Sequence, residues 1–334
     1  MVTKLTSFTK KIISELFYDI MFYSIRLGFL RFMCTIFSKF PEKKFSNYFL
    51  KKKDQYILNY LNHNYGHIFK KYSDYNFSEK EMCVHNSKIL PIWVCWLDGV
   101  DEAPPLVKQC IKSIENAAGK HPVHVITWKN FSQYVLIPKY ILEKVNNGII
   151  QKAHFADVLR IFLLEQYGGL WLDSTIYCNG LLPDYYFNSY FFTCKSPKQE
   201  IGCISMNRWT TFCIGGKQNN VFFKAMKDFF TEYWRYEKHA IDYLFFDAAI
   251  ELSRTLVPSI DVMIDSVPFN NLQRDSLITR FPNEWSPGCI DDLLDSNNVL
   301  FKLGYRENFY LKEYTSSNQL TVYGAFLKNF YREG

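Results

Sequence analysis

Two charged residues one helical turn apart, and a carboxylate that follows a pair of glycines, are the residues most suited to chemistry. Asp157 and Arg160 lie in a run of mostly apolar residues. Because they are three positions apart, a helix places them on one face. Asp173 comes where the apolar run after Gly168 and Gly169 ends. Two carboxylates and an arginine brought together suit a phosphate-bearing ligand, with or without a divalent metal.

Each of these residues also has a structural interpretation. Asp157 and Arg160 would then form an ion pair worth a few tenths of a kcal/mol, and Asp173 would cap a turn with Ser174 and Thr175. The apolar flanks of Asp157 and Arg160 favour a functional role, since charges in such surroundings need partners.

Strands and helices alternate around these residues, which predicts an α/β domain with parallel strands. Ligands of such sheets bind at the carboxyl ends of the strands, where residues 96–99 and 173–175 fall. The predicted elements are strands at 91–97, 123–128, 170–177 and 190–194, helices at 105–119, 138–146, 151–167, 220–236 and 240–256, short strands and loops after about 258, and a last helix from Gly324.

The N-terminal part differs in charge and pattern. Residues 1–90 carry fifteen Lys and Arg against seven Asp and Glu, whereas the whole chain has a net charge of +6. A helix over residues 12–37 would place Asp19 and Arg26 on one face and leave a wide apolar face, but its charges exclude a membrane span. Such a helix either packs on the protein's own core or lies in an anionic membrane interface.

Cysteine usage bears on the cellular compartment. The nine cysteines are odd in number, form no C-x-x-C pair and lie mostly in apolar runs, which is typical of reduced thiols. No secretory signal is recognisable. We therefore expect a cytoplasmic protein, with peripheral contact to the cytoplasmic face of the inner membrane if the N-terminal helix binds lipid. The sequence carries no nucleic-acid-binding signature.

The segment 153–175 resembles the core motif of a family of GT-A glycosyltransferases. That motif reads A-x-x-S-D-x-x-R, then about seven residues, then G-G-hydrophobic-aromatic-hydrophobic-D-x-D. Residues 91–99 are similar to the first strand of the family, with Trp96 and Gly99 matching best. The likeness is strongest to the bacterial capsular polysaccharide synthesis branch, related to glycosyltransferase family 32, the yeast-type mannosyltransferases and toxin glucosyltransferases. It covers residues 88–180 well and extends loosely to about 256.

The resemblance implies a GT-A-like Rossmann-type sheet with helices on both faces in residues 89–334, after a helical N-terminal region in residues 1–88. It also implies roles for single residues. Trp96 would stack near the donor's base, Asp157 and Arg160 would contact ribose and sugar hydroxyls or phosphate, and Asp173 would be the catalytic, metal-binding first carboxylate of the D-x-D motif. The implied donor-binding residues are Trp96, Gly99, Asp157, Arg160, Gly169, Ser174 and Thr175.

Two positions depart from the motif. Thr175 replaces the second carboxylate of D-x-D, and Ala156 replaces the usual serine. Because a threonine hydroxyl is a poor ligand for Mn²⁺ or Mg²⁺, the implied dependence on a divalent metal stays open. No general base stands out, although Asp242 and Asp247 are candidates alongside a structural role.

The expected function is that of a glycosyltransferase. It would move a sugar, with retention, from a nucleotide-diphosphate sugar, most simply UDP-linked, to a capsular polysaccharide or lipid-linked glycan acceptor. Two alternatives remain. One is a sugar-phosphate transferase of capsule synthesis, and the other is a non-catalytic module that binds nucleotide sugars.

Overall fold

The computed structural model describes residues 16–40, 43–76, 89–197, 203–306 and 311–329. Residues 1–15, with the start of the helix predicted over 12–37, and residues 77–88 at the end of the predicted helical region lie outside this part of the chain. Residues 16–22 are helical. The later elements are α1 Ile25–Phe37, α2 Lys43–Lys70, β1 Ile92–Cys95, α3 Pro105–Ala117, β2 Val123–Ile126, α4 Phe131–Tyr134, α5 Lys139–Asn146, α6 Lys152–Tyr167, β3 Gly169–Leu172, β4 Ile176–Cys178, α7 Tyr185–Asn188, β5 Phe191–Thr193, β6 Cys213–Gly216, α8 Val221–Tyr236, α9 Phe245–Leu256, α10 Pro258–Asp265, α11 Ser276–Arg280, α12 Asp291–Leu294, β7 Leu300–Lys302 and α13 Val322–Lys328.

Five of the strands form one mixed sheet in the order β2-β1-β3-β6-β5. β1 runs parallel to both β2 and β3, with Ile92 opposite Val123 on one side and Leu170 on the other. β6 is antiparallel to β3 and to β5. β4 and β7 form a separate antiparallel pair. The predicted α/β class with a Rossmann-type sheet is therefore confirmed, and the antiparallel half of the sheet was not predicted.

The order in which the chain adds strands to the sheet reverses at β1 and β3, although these two strands run parallel. The connection from β1 through α3 leads outward to β2, and the next connection, through α4 to α6, returns across β1 to β3. At such a reversal the loops after the two strands diverge and leave a crevice outside their carboxyl ends. The topology thus selects the loops after Cys95 and Leu172 as the place for a ligand.

Two glycines form the turn from α6 into β3 and let β3 approach the segment before β1. Helix α6 ends at Gly168, whose φ is 68°, and Gly169 continues with a φ of 99°. A Cβ atom on Gly169 would lie 2.2 Å from the carbonyl oxygen of Pro91. Only glycine therefore allows β3 to start this close to the segment before β1.

The N-terminal helices pack on the C-terminal half of the chain. α1 packs on α2, and α2 packs on α8 and α9. Leu27, Ile57, Leu61 and Phe69 are buried in the same hydrophobic core as the central sheet. The predicted helical character of this region is confirmed in the described residues, and its inner face belongs to the core.

The single helix predicted over 12–37 is wrong in the part that the structure describes. The helical stretch 16–22 ends in a turn, and α1 starts after Ser24, whose side chain accepts a hydrogen bond from the backbone N–H of Leu27. A serine that caps a helix in this way favours a new helix start. Within the described residues, no helix is both long and apolar enough to span a bilayer.

Other differences from the prediction concern short elements. The strand predicted at 170–177 is two strands, β3 and β4, separated by a turn at residues 173–175. The helix predicted at 240–256 starts only at Phe245, and several short helices follow residue 258 where strands and loops were expected. Short elements depend on tertiary partners more than on local pattern, so their periodicity is too brief to identify them.

Candidate functional site

A cavity of about 710 Å³ opens at the carboxyl ends of β1 and β3. Five segments form most of its walls: the loop after β1, the first half of α6, the end of β3 with the turn after it, the start of α9 with the residues before it, and the end of β7 with the loop after it. The cavity therefore occupies the crevice that the strand order creates. Six of the residues predicted from sequence to form the site line this cavity: Trp96, Asp157, Arg160, Asp173, Ser174 and Thr175.

Arg160 joins the two predicted carboxylates. Its Nη1 donates a hydrogen bond to Asp157 Oδ1 at 2.7 Å, and its Nη2 donates to Asp173 Oδ1 at 3.1 Å. The guanidinium lies over the Trp171 ring, 4.7 Å from its centroid, and the residue is buried. Helix α6 and the end of β3 thus bring together the three residues that the sequence singled out.

Asp173 is held firmly but stays accessible. Its backbone N–H donates to the carbonyl of Phe212 at 2.8 Å, and Trp171 Nε1 donates to its Oδ1 at 3.0 Å. Its side chain is still 31% exposed. The Nζ of Lys302 lies 3.6 Å from the second carboxylate oxygen, Oδ2. A ligand in the cavity can therefore reach a carboxylate whose orientation is already fixed.

The two carboxylates that share Arg160 differ in acidity. Burial raises the pKa of Asp157 to about 7, even though Arg160 acts in the opposite direction. Burial would also raise the pKa of Asp173, but the charges of Lys302 and Arg160 hold it below its usual value. Asp173 is therefore the ionised member of the pair, and Asp157 changes protonation near neutral pH.

The two candidates for a general base occupy different places. Asp247 lines the cavity and accepts a hydrogen bond from Trp209 Nε1 at 2.8 Å, and burial raises its pKa to about 6. Asp242 is not among the lining residues. It pairs with Lys53 at 2.8 Å and Arg31 at 3.6 Å, so it ties the N-terminal helices to the segment before α9. The structural interpretation holds for Asp242.

Lys302 is the main residue of the cavity that sequence reasoning missed. It ends β7, which pairs with β4 so that Lys302 lies opposite Ile176. Its Nζ donates a hydrogen bond to Thr175 Oγ1, and the N–H of Leu303 donates to the carbonyl of Thr175 at 2.9 Å. The only local signal is a basic residue directly after the short apolar run 299–301. Arg306 follows in the same wall.

The surroundings of Asp173 do not fit a divalent cation. A protein holds Mg²⁺ or Mn²⁺ through oxygen ligands, commonly one or two carboxylates together with substrate phosphates and water, and those carboxylates must be free to face the ion. Here Asp173 Oδ1 already accepts from Arg160 and Trp171, and the ammonium of Lys302 faces Oδ2 and Thr175. Within the described ranges no three His, Cys, Asp or Glu side chains are grouped to hold an ion. The protein's own cations surround the carboxylate instead.

Aromatic side chains form one side of the entrance. The rings of Trp96 and Tyr305 meet edge to face with centroids 5.4 Å apart. The indole N–H of Trp96 is buried and finds no acceptor among the described residues. At the rim, Lys152 Nζ lies 2.7 Å from a carboxylate oxygen of Asp98. This side offers two aromatic rings, set nearly at right angles, and one buried donor without an acceptor.

Gly99 and Gly169, both predicted to bind the donor, are not among the lining residues. Gly99 has a φ of 95° and closes the turn after β1 through a hydrogen bond from its N–H to the carbonyl of Trp96. Gly169 lies at the start of β3, whereas Asp173 follows its end. Both glycines act on the path of the backbone, and through it on the residues that line the cavity.

The eight cysteines in the described part are free thiols, and four of them are buried. Cys95 lines the cavity, and burial raises the pKa of its thiol to about 12. A thiol this hard to ionise is a poor nucleophile at neutral pH.

Comparison with known proteins adds a family to this geometry. A family model described as capsular polysaccharide synthesis protein matches residues 37–323. This match spans most of the chain, from the end of α1 into α13, and includes every segment that lines the cavity. No curated protein matches the sequence. The chain therefore belongs to the capsular polysaccharide synthesis protein family.

Proposed function

We propose that the protein is a retaining glycosyltransferase of capsule synthesis. It would transfer a sugar from a nucleotide-diphosphate donor, with UDP as the nucleotide, to a growing capsular or lipid-linked glycan. The family supplies the role in capsule synthesis. The observation that carries the reaction class is the cavity in which Asp157, Arg160, Asp173 and Lys302 converge at the carboxyl ends of two parallel strands.

The walls of the cavity suit the parts of such a donor. Trp96 and Tyr305 each present an aromatic ring at the entrance, and a nucleotide base can stack on the face of one of them. Asp157 and Asp173 carry carboxylate oxygens suited to accept hydrogen bonds from ribose or sugar hydroxyls. The resemblance of residues 153–175 to the GT-A motif implies this role for Asp157.

Positive side chains would bind the diphosphate in place of a metal ion. Lys302 faces Asp173 across 3.6 Å, and Arg306 lines the same wall. Charged donors of this kind stabilise negative charge on a leaving group when they are fixed in position before the reaction. We therefore propose that Lys302, with Arg306, offsets the charge that develops on the departing nucleoside diphosphate.

The transfer breaks the bond between the anomeric carbon and the diphosphate oxygen, and forms a bond from that carbon to an acceptor hydroxyl oxygen. The acceptor's proton passes to the departing diphosphate on the same face of the sugar. This step needs no protein nucleophile. Asp247 lines the cavity with a raised pKa and is the side chain best suited to relay that proton.

The experiment that tests the proposal measures binding first and product second. The full chain is heated with UDP-, GDP- and CMP-sugars, and a ligand that binds the folded state raises the unfolding midpoint. The donor that does so is then incubated with a lipid-linked glycan acceptor, and the released nucleotide is identified. We expect a nucleoside diphosphate.

Release of a nucleoside monophosphate would replace the proposal with sugar-phosphate transfer. Stabilisation by a nucleotide sugar with no transfer to any capsular or lipid-linked acceptor would favour a binding module. If no nucleotide sugar raises the unfolding midpoint, the cavity does not bind such a donor and the proposal is wrong.

A further inference from the structure

We propose that the outer side of the N-terminal helices docks the protein on an anionic phospholipid bilayer. The N-terminal surface, as we call it, consists of exposed apolar side chains ringed by exposed basic ones. Its apolar members are Phe17, Met21, Ile25, Phe29, Phe32, Phe40, Phe45 and Tyr48, and its basic members are Arg26, Lys43, Lys44, Lys51 and Lys52.

In residues 16–37 the usual arrangement of a surface helix is reversed: charged side chains lie on the inner side, and large apolar side chains face solvent. Asp19 is only 5% exposed and pairs with Arg31 at 2.8 Å on the inner side. Ile25 is 73% exposed, and Phe29 and Phe32 follow it at helical spacing on the same face of α1. The charges are thus used inside, while the large apolar side chains point outward. Such an arrangement marks an interaction site when the exposed residues are contiguous.

The turn between α1 and α2 carries a compact aromatic group. The ring of Phe37 lies 5.6 Å from that of Phe40, 5.5 Å from that of Phe45 and 5.3 Å from that of Phe49. Phe40 and Phe45 are more than half exposed. Aromatic side chains that pack on one another and still expose part of each ring to solvent are suited to the interface between lipid headgroups and acyl chains.

The charges around these side chains select an anionic partner. Lys43, Lys44, Lys51 and Lys52 are exposed on α2 beside the apolar side chains. The described acids nearby, Asp19 and Asp54, are held by Arg31 and Lys53. Basic residues next to an apolar helical face attract anionic lipid. This charge complementarity favours a bilayer over a second, equally basic copy of the chain.

The N-terminal surface is connected to the cavity wall. On their inner side the N-terminal helices hold residues 239–242: Arg31 donates to the carbonyl of Ile241 at 2.7 Å, and Lys53 pairs with Asp242. The next residue, Tyr243, lines the cavity and is exposed. The N-terminal helices thus connect the proposed bilayer face to one wall of the cavity, and under the proposed function the acceptor would be carried on a lipid of that bilayer.

The test is sedimentation of the full chain with lipid vesicles, which does not depend on any activity. We expect at least ten-fold more bound protein on vesicles containing phosphatidylglycerol than on pure phosphatidylcholine, falling as salt screens the charges. The double variants Ile25→Ser/Phe29→Ser and Lys51→Glu/Lys52→Glu should each lose at least ten-fold of this binding.

Matched controls lie on other surfaces. Leu136→Ser changes a side chain that is 91% exposed, and Lys112→Glu reverses an exposed charge on α3. Both should bind vesicles like the wild type, and all variants should keep the wild-type unfolding midpoint. Equal binding to both vesicle types, or full binding by either double variant, overturns the proposal. So does a dimer in solution that Ile25→Ser/Phe29→Ser converts to a monomer without any vesicle binding.

Discussion

The ammonium of Lys302 donates a hydrogen bond to the hydroxyl of Thr175. The same ammonium lies 3.6 Å from Oδ2 of Asp173. One positive charge of the chain thus contacts both of these side chains, which follow β3 and could otherwise offer oxygen ligands to a cation.

The first prediction concerns divalent metals. Because Lys302, Arg160 and Trp171 engage Asp173, we expect donor binding and transfer to be unchanged by EDTA and unaffected by added Mn²⁺ or Mg²⁺. The measurement is the donor-induced rise of the unfolding midpoint and the rate of transfer, each with and without chelator. A loss of more than about ten-fold in the presence of EDTA, restored by Mn²⁺, would contradict the arrangement.

The second prediction concerns Lys302 itself. Lys302→Met keeps the length of the side chain but removes its charge, and a hydrogen bond to a charged group is worth about 1.5–3 kcal/mol. We therefore expect donor affinity to fall by about ten-fold to about a hundred-fold. Isothermal titration with the donor and with the free nucleoside diphosphate measures it. Lys129→Met, an exposed position outside the cavity, is the control and should bind as the wild type does.

The third prediction concerns Asp173. Asp173→Asn keeps an oxygen that can accept from Trp171 but removes the negative charge. We expect turnover to fall by at least about a hundred-fold, in the range of removing a group that acts in the transition state. The chain should still fold, with a lower unfolding midpoint because buried Arg160 loses an ionised partner. Wild-type turnover in this variant would show that the chemistry lies elsewhere.

The fourth prediction concerns pH and stability. Burial raises the pKa of Asp157 from its ordinary 3.8 to about 7. The folded chain then binds a proton at this carboxyl that the unfolded chain has lost, so the stabilisation is fully present below about pH 4 and is lost as pH rises through 7. Relative to Asp157→Asn, the free energy of unfolding of the wild type should fall by up to about 1.4 kcal/mol per pH unit across this window. Denaturant unfolding at several pH values measures it, and a flat or rising difference would contradict the raised pKa.

The fifth prediction concerns backbone strain. Gly169→Ala would bring a Cβ atom to 2.2 Å from the Pro91 carbonyl at a φ of 99°. Because the obstacle is backbone, we expect a loss of at least about 3 kcal/mol in the free energy of unfolding, or no folded protein. Gly119→Ala is the matched control. Gly119 also has a positive φ, 57°, but open space around it, so its loss should be about 1 kcal/mol.

Long, strongly patterned elements could be predicted from the sequence, and distant pairings could not. The predicted helix at 151–167 is α6 to within one residue, because Gly168 and Gly169 mark its C-terminal end and its apolar run is long. Asp157, Arg160 and Asp173 could be predicted to meet, since helix spacing and strand order suffice to bring them together. Lys302 meets Thr175 across 127 positions, through a pair of three-residue strands whose register depends on the folded chain.

The polarity of the N-terminal helices shows a second limit. The sequence pattern alone left it open which side of residues 12–37 faces the protein. In the described residues, the buried ion pair of Asp19 with Arg31 marks the side that faces the protein. Asp19 lies in the helical stretch 16–22 and Arg31 in α1, so the two meet only once the chain has folded back between these helices. An apolar face looks the same in a sequence whether it ends up inside or outside.

Arg31 on α1 and Lys53 on α2 hold residues 241 and 242, which directly precede Tyr243 in the cavity wall. The position of this wall therefore depends on how α1 and α2 pack, although neither helix lines the cavity. A compound or antibody fragment that wedges between α1 or α2 and this segment would free the wall that bears Tyr243 without ever entering the donor site. Under the proposed function, such a molecule would inhibit without competing with the nucleotide sugar, since the two would occupy different sites.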